Sequence, residues 1–405
     1  MVIRKGKPIE ELQKLIRETQ ADKVYFNHGY TPYSRERDQK AKQELDAEVE
    51  SFKDLVMFEK EEITTNKGSP YKVYTYFAKK WFKKEKPRPR EIKNYQTPQL
   101  ESREITPLQE LGYTQPDYMN YQWEAGRQKA EEKLENFLEE DIWHYHDRRD
   151  LASRDATSRL SPYIKFGNIS IRELYWRSER IKARNPDKDT EGIKTWQEEL
   201  AWRDFYQQVL WNHPRTTEKP FLEQYQEIQW RSKEEAQQDW QRFTEGRTGY
   251  PFVDAGMRQL RETGWMHNRL RMVVTSFACK DLWLDWRDLH DYFSRMFVDA
   301  DIAAMVGGIQ WAYSIGTDAQ PYFRVFNPTS QSKDYDPDGE YIRQFIPELR
   351  EYPDQYIHEP WKAPQTVQQS TQTIIGQDYP EPIVDHDTKR KEAINKFEQV
   401  RENQE

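Results

Sequence analysis

Helical periodicity from about Trp123 onward constrains the fold more than any other feature of this chain. Apolar residues recur there every three or four positions, in five segments that are each long enough for a packed helix: "EAGRQKAEEKLENFLEE", "SIRELYWRSERIKAR", "WQEELAWRDFYQQVLW", "PFVDAGMRQLRETG" and "HNRLRMVVTSFACKDLW". We therefore predict a large all-α domain over residues 123–362. The residues after it, 363–405, are polar and charged, and we expect them to form a loose C-terminal tail.

The first 83 residues have a different pattern, in which helix and strand signals alternate. "IEELQKLIRET" has helical spacing, "DKVYFN" and "LVMFEK" are compact strand-like runs, and a charged segment typical of a surface helix lies between them. This order predicts part of a parallel α/β domain of the Rossmann-like kind. Two or three strands are too few to bury both faces of a parallel sheet, so we expect the first strands of the domain to be absent. Residues 84–122, rich in proline and charge, are the predicted interdomain linker.

Composition narrows the classes of function that the chain can serve. Aromatic residues make up 14% of its 405 residues, with 14 Trp, which is typical of ring-lined pockets or of an aromatic core. The single cysteine, Cys279, excludes internal disulfides and a cysteine-cluster metal site, and we expect no metal. The formal net charge of −8 repels phosphate, so any contact with nucleic acid needs a local basic patch. With no membrane-spanning run and no signal peptide in the sequence, we expect a cytoplasmic monomer.

The segment "ATSRLSPYIKFG" places three hydroxyl groups directly before a predicted helix. Thr157, Ser158 and Ser161, together with the backbone N–H groups of the helix start, could hold a diphosphate. Serine and threonine at this position more often serve as ordinary helix caps. The segment alone therefore leaves both interpretations open.

The segment "WQEELAWRDFY" places Trp196, Glu199 and Arg203 along one helical face, with Trp202 beside them. A carboxyl group among tryptophans can have a raised pKa and act as a proton donor, and an indole face can stack on a planar base. The alternative is a surface pair of Glu199 with Arg203 over an aromatic core.

The segment "TGWMHNRLRMVV" concentrates Asn268, Arg269, Arg271 and Met272 in one turn of an otherwise apolar helix. An amide can bind the edge of a heterocycle at two points, and an arginine can bind phosphate or carboxylate. Acceptors for one arginine follow in "VDADIA", at Asp299 and Asp301. A purely structural ion pair is the alternative.

In order and spacing, the stretches "TSRLSPYIKFG", "WQEELAWRDFY", "TGYPFVDAGMRQLRETGWMHNRLRM", "KDLWLDW" and "GTDAQPYFRVFNP" resemble the photolyase/cryptochrome family. These flavoproteins use blue light to split pyrimidine dimers in DNA or to signal. The resemblance covers roughly residues 6–361 and is closest to bacterial class I cyclobutane pyrimidine dimer photolyases. It implies an α/β remnant of an antenna domain, followed by an all-α FAD-binding domain. FAD is the expected cofactor, and the missing first strands argue against an antenna chromophore.

The resemblance also assigns roles to individual residues. Arg271 would be paired to Asp299 beside the flavin, and the residues expected to surround FAD are Tyr145, Thr157, Ser158, Arg159, Leu160, Ser161, Trp196, Asn268, Arg271, Asp299, Ala300, Asp301 and Met305. DNA containing pyrimidine dimers is the expected partner. Glu199 would hydrogen-bond the dimer and stabilise its radical anion, Trp202 and Trp311 would stack on it, Asn268 and Met272 would line its pocket, and Arg269 and Arg324 would meet the flanking phosphates. A dimer pairs poorly, which lowers the cost of flipping it out of the duplex.

Two positions depart from the family pattern. Met305 stands where the family usually has an asparagine near the flavin, and a thioether cannot donate a hydrogen bond. The family has three tryptophans that conduct electrons to the flavin; the outer two match Trp230 and Trp286, but the innermost is Ile309. Trp283 and Tyr313 are candidates for a detour. These departures leave three interpretations open: a repair lyase, a flavin light sensor without repair activity, and a degenerate relative.

Overall fold

A small parallel sheet with flanking helices opens the chain, as the alternating sequence pattern predicts. The computed structural model describes residues 3–90, 110–112 and 123–402. The sheet pairs β1 (Lys23–Asn27) with β2 (Glu48–Phe52), in a register that sets Lys23 opposite Glu48. The accompanying helices are α1 (Pro8–Thr19), α2 (Pro32–Glu44) and α3 (Tyr74–Lys83). These two strands are the only ones in the described residues.

The second strand lies earlier than the sequence indicates. We predicted it at "LVMFEK", but β2 is "EVESF", and Val56, Met57 and Phe58 form a buried irregular segment. The backbone N–H groups of Met57 and Phe58 donate to the carboxylate of Asp204, each at 3.1 Å, rather than to a neighbouring strand. The indole of Trp81 donates to the same carboxylate at 2.9 Å. The apolar run is therefore buried because it packs between the two parts of the chain.

The remainder of the described chain is helical, as predicted. Its helices are α4 (Arg127–Glu139), α5 (Tyr145–Arg148), α6 (Ser161–Lys165), α7 (Ile171–Arg184), α8 (Glu191–Asn212), α9 (Gln237–Thr244), α10 (Pro251–Thr263), α11 (Asn268–Lys280), α12 (Trp286–Met296), α13 (Ile302–Ala312), α14 (Pro328–Tyr335), α15 (Glu340–Phe345), α16 (Asp354–Ile357), α17 (Gln365–Ser370) and α18 (His386–Glu402). The longest is α8, with 22 residues, and it contacts α3, α5, α7 and α13. It therefore links the α/β part to the helices that carry the predicted site.

The C-terminal residues pack into the core, so the expectation of a loose tail over 363–405 is wrong for the described part of that range. Tyr379, Ala393 and Phe397 are fully buried. The ring of Phe397 contacts Tyr225 at 5.4 Å between centroids, and the side chain of His386 lies 2.6 Å from Asp281. The tail looks polar in sequence because α18 buries only one narrow face, which carries few apolar residues.

We expect the substitution Phe397→Leu to lower the free energy of unfolding by about 1–2 kcal/mol, because it removes several buried ring contacts. Urea unfolding followed by circular dichroism measures the effect. Phe323→Leu is the matched control, since that ring is 54% exposed and its replacement should cost almost nothing. Equal stability of both variants would mean that α18 is not part of the cooperative core.

Most of the predicted linker, 84–122, lies outside the described residues, which include only 84–90 and 110–112 of it. Among the helices described, none combines the length and the apolar character needed to cross a membrane.

Candidate active site

The ion pair of Arg271 with Asp299 connects α11 to the segment before α13. One terminal nitrogen of Arg271 lies 2.9 and 3.1 Å from the two carboxylate oxygens of Asp299, whose side chain is 3% exposed. The guanidinium also donates from Nε to the carbonyl of Met266 at 2.8 Å and lies 4.0 Å from the Phe297 ring centre. The guanidinium is therefore held in one orientation, with its charge balanced inside the protein.

Asp301 holds the start of α13 in place. Its carboxylate accepts hydrogen bonds from the backbone N–H groups of Ala303 and Ala304 and from the side chain of Gln207 at 2.9 Å. Arg203 lies 3.5 Å from it. Because Arg203 is paired here, the surface pair of Arg203 with Glu199 considered from sequence is not formed.

The hydroxyl groups in and before α6 do not cap that helix. Helix α6 begins at Ser161, and no side chain caps its first turn. Thr157 and Ser158 are half-buried in the loop before it, and Arg159 takes a left-handed backbone conformation, pairs with Asp155 at 2.8 Å and lies 4.9 Å from the Trp265 ring centre. The hydroxyl groups of Thr157 and Ser158 and the first backbone N–H groups of α6 could therefore still bind a diphosphate.

His267, at the start of α11, supplies a buried donor that sequence reasoning did not single out. Burial lowers the pKa of His267 to about 4, so the ring is neutral. Its Nδ1 accepts from the backbone N–H of Arg269 at 3.2 Å, which leaves the proton on Nε2. That buried Nε2 has no hydrogen-bond partner among the described residues. An unpaired buried donor within the electrostatic influence of Arg159, Arg269 and Arg271 fits an anionic cofactor such as FAD.

Glu199 is paired with an arginine that the sequence interpretation did not name. The carboxylate forms an ion pair with the guanidinium of Arg149, just beyond α5. Burial raises the pKa of Glu199, and Arg149 opposes that shift. Asp150, the next residue, pairs with Arg269 at 2.9 Å. The only sequence signal for this arrangement is the charged run "RRD", which begins three residues after Tyr145.

The other predicted flavin residues lie around these pairs. Trp196 is buried and Tyr145 is half-buried, and both rings contact Phe137, at 5.4 and 5.8 Å. Leu160 is buried, and Ala300 is half-buried between Asp299 and Asp301. The structure therefore brings these residues onto adjoining elements, and their roles toward the flavin stay predictions.

The predicted dimer-pocket residues are accessible in varying degree. Asn268 and Arg324 are exposed, and Met272 is half-buried. Trp311 is half-buried, with its ring 6.4 Å from Phe326. Trp202 is half-buried, and one face is stacked on Tyr74 at 3.6 Å with nearly parallel rings. Tyr74 thus fixes the plane of the indole that is expected to stack on the dimer.

Glycines on α13 bear on both its packing and its open side. A Cβ at Gly307 would lie 2.1 Å from the ring of Tyr206, so that position permits close packing of α13 on α8. At Gly308 the same addition would meet nothing within 4 Å. Helix α13 therefore presents open space next to the residues predicted to contact FAD.

The two residues that depart from the family pattern face an aromatic cluster. Met305 and Ile309 are buried in the same apolar core as Trp230, Trp283 and Tyr313. Tyr313 stands one helical turn after Ile309, and its ring contacts Trp230 at 5.2 Å. Trp230 in turn contacts Trp283 at 4.5 Å. Trp286 is fully buried, and its indole nitrogen has no hydrogen-bond partner among the described residues.

Comparisons with known proteins identify the family to which both parts of the chain are similar. Residues 196–399 match the model of the FAD binding domain of DNA photolyase, and residues 1–96 match the DNA photolyase model. FAD is therefore the cofactor, as predicted. The match to residue 399 also includes the C-terminal segment that packs into the core.

Individual relatives cover nearly the whole chain. It is 41% identical to the deoxyribodipyrimidine photo-lyase of Halobacterium salinarum, over 99% of this chain and 84% of the relative, and 36% identical to that of Escherichia coli, over 97% and 82%. A class III photolyase structure from Agrobacterium tumefaciens is similar with a TM-score of 0.92 and 34% identity, covering 99% of this chain and 84% of the other. A Synechocystis cryptochrome structure has a TM-score of 0.84 and 25% identity, covering 97% and 83%. On these grounds, the chain belongs to the photolyase/cryptochrome family.

Proposed function

We propose that this protein is a light-driven carbon–carbon lyase that repairs cyclobutane pyrimidine dimers in DNA, acting as a cytoplasmic monomer. One observation carries the proposal. The ion pairs of Glu199 with Arg149 and of Asp150 with Arg269 bring the predicted dimer-pocket carboxyl and the predicted phosphate-binding arginine into one cluster. The names of the curated relatives support the same reaction.

The residues predicted to bind FAD and the dimer have the chemistry that this reaction needs. Reduced FAD supplies, when bound, the electron that blue light transfers to the dimer. Arg271, balanced by Asp299, offers a fixed cation for an anionic flavin. The hydroxyl groups near the start of α6, which do not cap that helix, suit the phosphates of the cofactor. Trp202 and Trp311 offer ring faces for unstacked pyrimidines, and Glu199 offers a hydrogen-bonding carboxyl group.

Binding of DNA by an acidic protein depends on local cations. Arg324 is exposed, and Arg269 is partly exposed beside the cluster, so both can meet phosphates. Because these contacts are few, we expect affinity to fall only modestly with salt and to depend mainly on the flipped dimer itself.

The test is repair of a thymine dimer by protein that has been reduced chemically, so that the supply of electrons does not limit the result. We expect purified protein to carry bound flavin and to restore dimer-containing oligonucleotide under blue light, but not in the dark. Glu199→Ala should retain the flavin spectrum and repair about tenfold more slowly, a change of about 1.4 kcal/mol in the barrier. Undamaged oligonucleotide serves as the control for binding.

A light-sensing flavoprotein without repair activity is the second candidate. The similarity to a cryptochrome structure and the buried Met305 and Ile309 beside the aromatic cluster favour it. Bound flavin with no repair after chemical reduction would select this candidate, and an absence of flavin would contradict both.

A further inference from the structure

Four charged side chains alternate in sign between the predicted dimer pocket and the predicted phosphate site; we call them the charge chain. Its members, in order, are Glu199, Arg149, Asp150 and Arg269. Glu199 is ion-paired with Nη1 of Arg149, and Nε of Arg149 lies 4.0 Å from Oδ2 of Asp150. The same Oδ2 lies 2.9 Å from Nη2 of Arg269. One carboxylate oxygen is therefore shared unequally between two guanidinium groups.

Solvent and ligands can reach the charge chain. The side chains of Arg149, Glu199 and Asp150 are 34%, 33% and 31% exposed. Arg269 is more enclosed, with its guanidinium carbon 4.0 Å from the ring centre of Tyr335. Its Nε is buried and has no hydrogen-bond partner among the described residues. A DNA phosphate at Arg269 would satisfy that donor and would compete with Asp150 for the same guanidinium.

This inference rests on the proposed function. We propose that Arg149 is a positioning residue, which keeps Glu199 ionised in the free protein and releases it to take up a proton when a DNA phosphate replaces Asp150 at Arg269. Once displaced, Asp150 closes the 4.0 Å gap to Arg149 and draws the guanidinium away from Glu199. The proton comes from the solvent and ends on the Glu199 carboxylate.

The surroundings of Glu199 decide the direction of this linkage. Burial raises the pKa of Glu199, and the negative charges of Asp150 and of Glu198 on α8 raise it further, whereas Arg149 lowers it. Tyr74 on α3, Tyr145 on α5 and Tyr206 on α8 also face the carboxyl group, and their pKa values are raised by burial, so they stay neutral. Weakening the pair with Arg149 therefore raises the pKa of Glu199.

Protonation would change what Glu199 offers to the dimer. An ionised carboxylate only accepts hydrogen bonds, whereas a protonated carboxyl group can donate one to a pyrimidine carbonyl. The charge chain would thus prepare the donor only when DNA is present. Since the bound state holds the extra proton, affinity for dimer DNA should fall as the pH rises through the two pKa values of Glu199.

Calorimetry of binding tests the linkage without any turnover. The FAD-loaded protein is titrated in the dark with a single-stranded oligothymidylate containing one thymine dimer, between pH 5 and 8, in buffers of different ionisation enthalpy. We expect an uptake that reaches about one proton per bound dimer at its maximum. Glu199→Gln should abolish the uptake. Arg149→Gln should sharply reduce it, because Glu199 is then protonated before DNA binds, and Arg149→Lys should restore part of it.

Arg148→Gln is the matched control. That arginine precedes Arg149 but faces Glu140 and Asp141, at 3.7 and 3.8 Å, outside the charge chain. The proton uptake of the Arg148→Gln variant on binding the dimer should equal that of the wild type. Dimer-specific binding without proton uptake, or uptake that persists in Glu199→Gln, would overturn this inference and leave the proposed function standing. No preference for the dimer over undamaged oligothymidylate would overturn the proposed function and this inference with it.

Discussion

The substitution Asp299→Asn should strip the protein of most of its flavin. Asp299 is almost fully buried and is the carboxylate that fixes Arg271 in place. Its amide analogue keeps the shape but removes the charge, which leaves Arg271 unbalanced and free to turn. Breaking a buried pair costs about 3–5 kcal/mol of folding stability. Since Arg271 is 27% exposed, we expect Asp299→Asn to lower the free energy of unfolding by about 2 kcal/mol.

Flavin retention through purification, measured as the ratio of absorbance at the flavin band to that of the protein, should fall about tenfold or more, the equivalent of about 1.4 kcal/mol in binding. Glu348→Gln is the matched control. It breaks the pair with Arg258, at 2.7 Å, on the partly buried surface of α10, away from the predicted flavin residues. That variant should keep its flavin. Equal flavin content in both variants would contradict the assignment of Asp299 to the cofactor site.

The sequence predicts the helical half of the fold well because its signal is local. Helical periodicity requires no knowledge of partners, and α8, α10 and α11 follow the segments predicted for them. The strand signal failed at Val56 to Phe58, where an apolar run is buried by contacts with α8 and α3 rather than by a sheet. The expectation of a loose C-terminal tail is wrong for a related reason, since Phe397 packs against rings that are far away in sequence.

In the candidate site, too, one ion pair could be predicted from the sequence and another could not. The pair of Arg271 with Asp299 could be anticipated, because complementary charges stood out in apolar surroundings. The partner of Glu199 could not, because Arg149 lies 50 residues before it and its segment looks like ordinary surface charge. Whether a carboxylate pairs along its own helix or across to another one depends on tertiary packing, which spacing does not reveal.

Trp283→Phe should abolish most of the photoreduction of the flavin. Without a ring at position 309, the described residues that lead away from α13 are Tyr313, Trp230 and Trp283, joined by ring contacts of 5.2 and 4.5 Å. Trp283 and Trp230 are 7% and 9% exposed, and the ammonium group of the exposed Lys396 lies 4.4 Å from the Trp283 ring centre, so the relay comes closest to the solvent at these two rings. An electron that leaves Trp283 for the oxidised flavin must be replaced there by an external thiol.

Tyr313 is a poor resting place for the hole. Burial raises its pKa well above 10, and its hydroxyl donates to the carbonyl of Leu284 at 3.1 Å, which is too weak a base to take the proton that an oxidised tyrosine releases. The hole should therefore reside on Trp230 and Trp283. Phenylalanine at 283 keeps the packing but is much harder to oxidise, so the rate of photoreduction should fall about tenfold or more, which is about 1.4 kcal/mol in the barrier.

The rate is followed by bleaching of the flavin band under blue light with excess thiol. Trp240→Phe is the control, because that indole contacts Phe243 and Tyr292 and lies outside the relay, and it should leave the rate unchanged. Ile309→Trp should accelerate bleaching and make it insensitive to Trp283→Phe, since a ring at that position opens the family's usual path. Undiminished bleaching in Trp283→Phe would show that electrons enter by another route, and no bleaching in the wild type would show that this flavin is reduced only chemically.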